Sequence, residues 1–330
     1  MDRATPPPLP YFLDRDTLRG MMDPDHYLAA VEAAFLAHAE GRTRMPMPLH
    51  IEAEDGGFHG KGALVTLDRP WVAVKVNSNF PGHPARGLPT IQGAVLLYDG
   101  EDGRLVAILD SPEITARRTA AASALAAKYL ARDETYSIAV VGCGEQAAVQ
   151  LAALVRVRAF AQAFVWDVDA HRARRFAERV GKALALPISV GPSMRDATHM
   201  ADVVVTCTTS RSPILGVGDV RPGTFIAAVG ADAPHKSEID PALFARATVV
   251  VDSLDQACVM GDLHHAIDAG TATRASVYAE LAELVAGRKP GRENEDEITL
   301  FDSTGLAIQD VAASVAAYQR LTQEESPCNR

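Results

Sequence analysis

YSIAVVGCGEQAAVQLAALVRVRAFAQAFVWDVD, residues 136–169, reads as a strand, a glycine turn, a helix, a second strand and an acid, in that order. Ser137 to Val141 is a short apolar, β-branched run of the kind a buried parallel strand needs. It runs into Gly142-Cys143-Gly144-Glu145-Gln146-Ala147, a G-x-G-x-x-A turn, and an alanine- and leucine-rich helix is expected to about Arg158. A strand over 163–166 then delivers Asp167 at its tip, 23 residues after Gly144. That offset is close to the roughly 20 residues expected before the acid that binds the adenosine ribose. Gly142, Gly144, Glu145, Gln146 and Asp167 are therefore candidate dinucleotide-binding residues.

Working downstream, strands are expected near 187–190, 202–206, 224–229, 248–252 and 298–301, with helices that include 170–183 and 276–286. The alternation implies a doubly wound parallel sheet. Upstream the texture differs. Short alternating runs between Arg44 and Asp110 are divided by Gly, Pro and Asp clusters, which predicts a mainly antiparallel sheet with a hairpin at Asp99–Gly103. A helix opens at Asp23-Pro24 and stops at Gly41, and an alanine-rich one runs from 112 or 113 to 131. A last helix is expected over 306–321. The proline-rich start and the ESPCNR tail are expected to be poorly ordered.

A 330-residue chain is long enough for two cores. Its 48% hydrophobic and 22% charged residues are ordinary for a soluble protein. A formal charge of −10 argues against nucleic acid or an anionic membrane as main partner. Cys143, Cys207, Cys258 and Cys328 lack C-x-x-C spacing and read as reduced thiols, with no metal site. Cys143 reads as a small residue that fits the turn, not a nucleophile. No signal-type or membrane-spanning run is evident, so a cytoplasmic protein is expected.

Ligands of a parallel sheet sit beyond the carboxyl ends of its strands. Thr206 to Ser210, including Thr208, could edge the nicotinamide ribose, or simply form a turn. Asp232 stands in a glycine- and proline-flanked loop as a proton-transfer candidate. Ser303 and Gly305 follow the last strand and suit a carboxamide or an anion. Of the cations, Arg44, Lys75 and Arg118 together suggest a carboxylate clamp, although Lys75 in WVAVKVN taken alone reads as an outward-facing strand residue.

MPMPLHIEA after Arg44, VKVNSNFPGHPARGLPTIQGAVLLYD, EITARRTAAASALAAKYLAR, VVGCGEQA, VGADAPHKSEID and FDSTGLAIQD resemble the ornithine cyclodeaminase and mu-crystallin family, from about Asp14 to Tyr318. The resemblance implies a Rossmann doubly wound α/β domain, 119–305, inserted in an α+β substrate and dimerisation domain. That second domain is 1–118, completed by the C-terminal helix at about 306–330. It implies a homodimer and assigns carboxylate-binding roles to Arg44 and Arg118, the active-site lysine to Lys75 and the catalytic aspartate to Asp232. Asp167 as the ribose acid favours NAD, because the 2′-phosphate of NADP would meet a negative charge; Arg172 keeps NADP open. Arg117 stands where the family usually has leucine. His83 and His235 also depart from its pattern.

True cyclodeaminases carry a glutamate for the distal amine on the strand that here reads Phe58-His59-Gly60-Lys61-Gly62, and Lys61 would repel an ammonium. The leading expectation is therefore NAD(P)H-dependent reduction of an α-imino acid, or the reverse amino-acid dehydrogenase reaction. Lys61 is a candidate for a second carboxylate if it reaches the site, as in iminosuccinate. An ammonia-eliminating cyclodeaminase is the alternative, and a non-catalytic small-ligand-binding protein of mu-crystallin type is the third reading.

Overall fold

In a computed structural model, residues 9–324 are described. The expectations for residues 1–8, for the ESPCNR tail and for Cys328 fall outside them. The chain forms two compact units, one ending at Thr115 and resuming at Ala307, the other running from Ala116 to Leu306.

The chain opens with β1 (Tyr11–Leu13), α1 (Arg15–Met21) and α2 (Pro24–Ala39). β2 (Thr43–Arg44), β3 (Leu49–Ala53), β4 (Gly56–Thr66), β5 (Pro70–Asn79), β6 (Ile91–Asp99) and β7 (Leu105–Asp110) follow, then α3 (Ser111–Leu130). Next come β8 (Ser137–Val141), α4 (Glu145–Leu154), β9 (Gln162–Trp166), α5 (Ala170–Leu184), β10 (Ile188–Val190) and α6 (Met194–Thr198). β11 (Val203–Thr206), β12 (Arg211–Leu215), β13 (Phe225–Ala228), β14 (Ser237–Ile239), α7 (Pro241–Phe244) and β15 (Ala247–Val251) continue the chain. α8 (Leu254–Ala257), α9 (Asp262–Asp268), β16 (Ala279–Glu280), α10 (Leu281–Val285), β17 (Ile298–Asp302) and α11 (Ala307–Glu324) complete it.

In the first unit the strands form one sheet, ordered β1-β7-β6-β5-β4-β2 with β3 also on β4. Its pairs are antiparallel except β1 with β7. Period-two alternation turns Ala63, Val65, Trp71, Ala73, Val95 and Leu97 to one face, where α2 and α11 pack. Asp23 caps α2 by accepting from the His26 amide, and Gly41 follows its end at φ +73°. Trp71, Tyr27 and Phe35 are fully buried, each such side chain contributing about 1.5–3 kcal/mol. The expected hairpin is present: Gly103, at φ +76°, donates its amide to the Asp99 carbonyl. The three-residue β1 lies outside the expected strands, being too short to display a period.

The second unit is built on eight parallel strands, ordered β10-β9-β8-β11-β13-β17-β15-β16. The order from β10 to β13 is that of a doubly wound nucleotide-binding sheet, with the reversal between β8 and β11. β8, β11 and β13 are buried throughout, which explains their continuous apolar runs. The helix expected over 276–286 is shorter, because Ala279 and Glu280 pair with the sheet at β15 and only Leu281–Val285 is helical. β12 and β14 form a separate two-stranded sheet that the alternating pattern does not reveal.

Candidate active site

The glycine turn sits at the reversal point of the second unit. Gly142 has φ +92°, and a Cβ there would lie 2.8 Å from Thr208 Cγ2 and 3.0 Å from the Cys207 carbonyl oxygen. Only glycine meets both demands. Gly144 caps α4 without a side-chain hydrogen bond, and a Cβ on it would meet nothing within 4 Å. The first amides of α4, from Glu145 and Gln146 onward, therefore have no side-chain cap, which leaves them suited to a pyrophosphate.

Asp167 lies at the tip of β9. Its Oδ2 accepts from the Cys143 amide at 2.8 Å and its Oδ1 from the Asp169 amide at 2.8 Å. The Arg172 guanidinium stands 3.7 Å away and is half exposed. An open helix end, an unfilled glycine position and an anchored acid together fit a dinucleotide. Burial, reinforced by the Asp167 charge, pushes the Cys143 thiol up to about 12, in keeping with a space-filling role.

The loops at the other strand ends are laced by buried carboxylates that the motifs in the sequence do not single out. Glu238 Oε2 accepts from Thr206 Oγ1 and from the Gly230 amide, each at 2.8 Å, while its Oε1 accepts from the Thr208 amide at 2.6 Å. Burial first, and the Asp262 charge second, raise the Glu238 carboxyl to about 7. Asp262 accepts from the amides of Glu238 and Ile239, and Asp302 from those of Asp262 and Leu263. Asp252 accepts from the Thr304 and Gly305 amides.

Two expectations change as a result. Thr206 is fully buried with its hydroxyl committed to Glu238, so it does not offer that group to a ribose. The Thr304 and Gly305 amides, expected to suit an anion, already serve Asp252, and Ser303 Oγ also turns toward it at 3.4 Å. Gly305 instead makes space. At φ +77°, its missing Cβ leaves room for the Arg118 guanidinium, whose Nη1 would otherwise be 2.6 Å away. Arg118 itself is buried. Asp232 is largely exposed on its loop and is ion-paired with Lys236.

In the first unit, Lys75 points inward, contrary to the isolated strand reading. It is 6% exposed; its Nζ lies 2.7 Å from Asp310 Oδ2 on α11 and donates to Thr115 Oγ1 at 3.2 Å. Lys61 is its direct cross-strand partner and is partly buried. Arg44 pairs with Leu64, on the opposite face, and is exposed, donating to the carbonyls of Gly41 and Thr43. His83 stacks on Phe80 with ring centroids 4.8 Å apart; His235 is exposed. Among the described residues no helix is long and apolar enough to cross a membrane, and no group of three or more His, Cys, Asp or Glu is placed to hold a metal.

A glycine turn and an acid at the reversal of a parallel sheet define a Rossmann-type unit, here joined in one chain to a mainly antiparallel sheet carrying a buried lysine. The chain belongs to the ornithine cyclodeaminase/mu-crystallin family, whose pattern matches residues 15–325. It is similar to an archaeal alanine dehydrogenase dimer with bound NAD, at 36% identity and a TM-score of 0.91, covering 96% of this chain and 97% of that one. It is likewise similar to the Thermococcus litoralis Δ1-pyrroline-2-carboxylate reductase in complex with NADH and L-proline, at 35% identity and a TM-score of 0.91 over 95% and 98% of the two chains. The iminosuccinate reductase of Paracoccus denitrificans is 35% identical over 305 residues, 92% of this chain and 93% of that protein.

Proposed function

We propose that the protein reduces a 2-imino acid to the amino acid with NADH, or catalyses the reverse amino-acid dehydrogenase reaction. The observation that carries this reading is Lys75, an ammonium almost wholly buried against Asp310. A charge withdrawn from water at such cost is characteristic of a functional site. The activities of the three relatives support the same class, two reductases of C=N substrates and a dehydrogenase of an amino acid.

Lys75 and Arg118 are assigned the substrate carboxylate, and their charge draws electron density from the imine carbon. Arg44 joins them on the strength of the family resemblance; to do so it leaves the carbonyls of Gly41 and Thr43. The turn from Gly142 to Gln146 and Asp167 would hold the dinucleotide, with Thr208 at a neighbouring strand end. NAD is preferred over NADP because Asp167 opposes a 2′-phosphate, despite Arg172 beside it. When bound, the reduced nicotinamide supplies the hydride taken up by the imine carbon. Asp232, relaying a proton from the Lys236 ammonium beside it, or Lys75 supplies the proton taken up by nitrogen, so that C=N becomes CH–NH.

The first unit's other sheet face is apolar and exposed: Leu49, Ile51, Phe58, Val74 and Val76 are each more than a third accessible. A contiguous patch of this kind marks an association surface. It is assigned to a second copy of the chain, in line with the dimer of the alanine dehydrogenase.

The test is an NADH-oxidation panel with pyruvate plus ammonia, oxaloacetate plus ammonia, and Δ1-pyrroline-2-carboxylate. Net oxidation with at least one is expected, and Asp232→Asn should lower it about a hundredfold or more while NADH binding persists. Conversion of ornithine to proline and ammonia without net change in NADH would replace the reading by a cyclodeaminase.

A further inference from the structure

The turn that follows β17 is held by residues at the ends of β15 and on α8, all within the second unit. Asp252, just past β15 and fully buried, accepts from the Thr304 and Gly305 amides through Oδ2, at 2.8 Å and 2.6 Å. Its Oδ1 accepts from the Thr304 hydroxyl at 2.7 Å. Gln256, on α8, donates its side-chain amide to Thr304 Oγ1 at 2.9 Å and to the carbonyls of Thr304 and Gly305 at 3.3 Å each. Gly261 also lies against the turn, since a Cβ there would fall 2.8 Å from Thr304 Cγ2.

With amides, carbonyls and hydroxyl all committed, Thr304 and Gly305 have little freedom to move. What the turn meets is the head of Arg118. A Cβ on Gly305 would lie 2.6 Å from Arg118 Nη1, 3.1 Å from Nη2 and 3.3 Å from Cζ, so the guanidinium end, not the stem, rests against this residue. Gly305 receives it at φ +77°, a conformation that L side chains rarely adopt. A guanidinium presents its N–H groups as a rigid planar fork, and bidentate contact with a carboxylate depends on how that plane is turned. The long arginine side chain has many rotamers, so its orientation comes from what packs against its head.

We propose that Gly305, held in place by Asp252 and Gln256, is a positioning residue for Arg118: the turn sets the plane in which the guanidinium meets the substrate carboxylate. This rests on the reading of Arg118 as a carboxylate-binding residue of an imine reductase. Asp252 and Gln256 act through the turn and not on the substrate. A side chain at position 305 turns the fork out of line, so the substrate loses its orientation. The nucleotide turn from Gly142 to Gln146 is left as it is.

The test measures KM and kcat for NADH oxidation with pyruvate or oxaloacetate, each with ammonia, and with Δ1-pyrroline-2-carboxylate. In parallel, calorimetry gives the affinity of the NAD-saturated full chain for L-alanine, L-aspartate and L-proline. The variants are Gly305→Ala, Arg118→Lys, the two together, and Gln256→Met with and without Arg118→Lys. Gly305→Ala should raise KM and weaken amino-acid binding about tenfold or more, with a smaller change in kcat and NADH affinity within about threefold. Arg118→Lys should weaken the same ligands, because an ammonium lacks the fork. The double variant should be no more than a few-fold worse than either single one, since a displaced guanidinium has little left to lose, whereas independent structural defects multiply. Gln256→Met, at a half-buried position, loosens the turn without a Cβ at 305 and keeps the test decisive should Gly305→Ala fail to fold. It should raise KM about three- to tenfold, and only while Arg118 is present. Multiplying losses, or an Arg118→Lys loss that neither turn variant reproduces, overturns the positioning. Arg118→Lys without effect on any ligand removes the carboxylate clamp and the inference with it. The same non-additive pattern in amino-acid affinity, without turnover of any imine, would uphold the positioning and sink the reductase reading.

Discussion

Glu238 illustrates how one buried carboxyl can govern several loops. It collects Thr206, Thr208 and Gly230, and its carboxyl is raised to about 7 by burial and by Asp262. A raised carboxyl binds its proton more tightly folded than unfolded. Its contribution to stability is present at pH values below the ordinary carboxyl range and is lost as pH rises through about 7. Thermal unfolding followed between about pH 5 and pH 8 should show that loss, and Glu238→Gln should flatten it. The same change turns an N–H toward the amide of either Thr208 or Gly230, costing about 1–3 kcal/mol at acid pH. A variant with unchanged slope would remove Glu238 from this role. Nothing in KSEID distinguishes this glutamate from a solvated one. Its burial comes from β14 packing beside β12 and α9, contacts remote in sequence.

At the scale of elements, the strand–turn–helix from β8 to α4 was legible because its constraints are local. Gly142 must be glycine for its φ and for the approach of Thr208. Gly142→Ala should therefore lose about 1–3 kcal/mol of stability, and weaken NADH binding at least tenfold, read by fluorescence titration alongside chemical denaturation. Native stability and native affinity in the variant would refute the geometric account. Strand β5 was legible as a strand but not in its facing. Trp71, Ala73 and Lys75 point one way and Val72, Val74 and Val76 the other. Both faces carry apolar residues, so alternation could not identify the one that receives α11. The inward turn of Lys75 depends on that choice, since a one-residue shift exchanges every side chain between faces.

For the whole molecule, the exposed apolar sheet face and the discontinuous first unit are the governing features. Replacing Val74 and Val76 together by Glu places charge on the face assigned to a second copy, without touching Lys75 or the core behind it. Light scattering should then report monomer where wild type reports dimer, with the monomer less stable than the parent. An unchanged dimer would move the interface elsewhere.

The discontinuity also dictates a sequence of events during synthesis. All of Ala116–Leu306 is synthesised before α11, and α11 supplies Asp310 as the counter-ion of Lys75 in the first unit. Domains fold as units during translation, and throughout the synthesis of the insertion Lys75 still lacks its counter-ion and Trp71 its cover by Tyr318. The nascent chain thus carries an uncovered, partly apolar sheet through the whole length of the insertion, and that interval is when it most needs a chaperone.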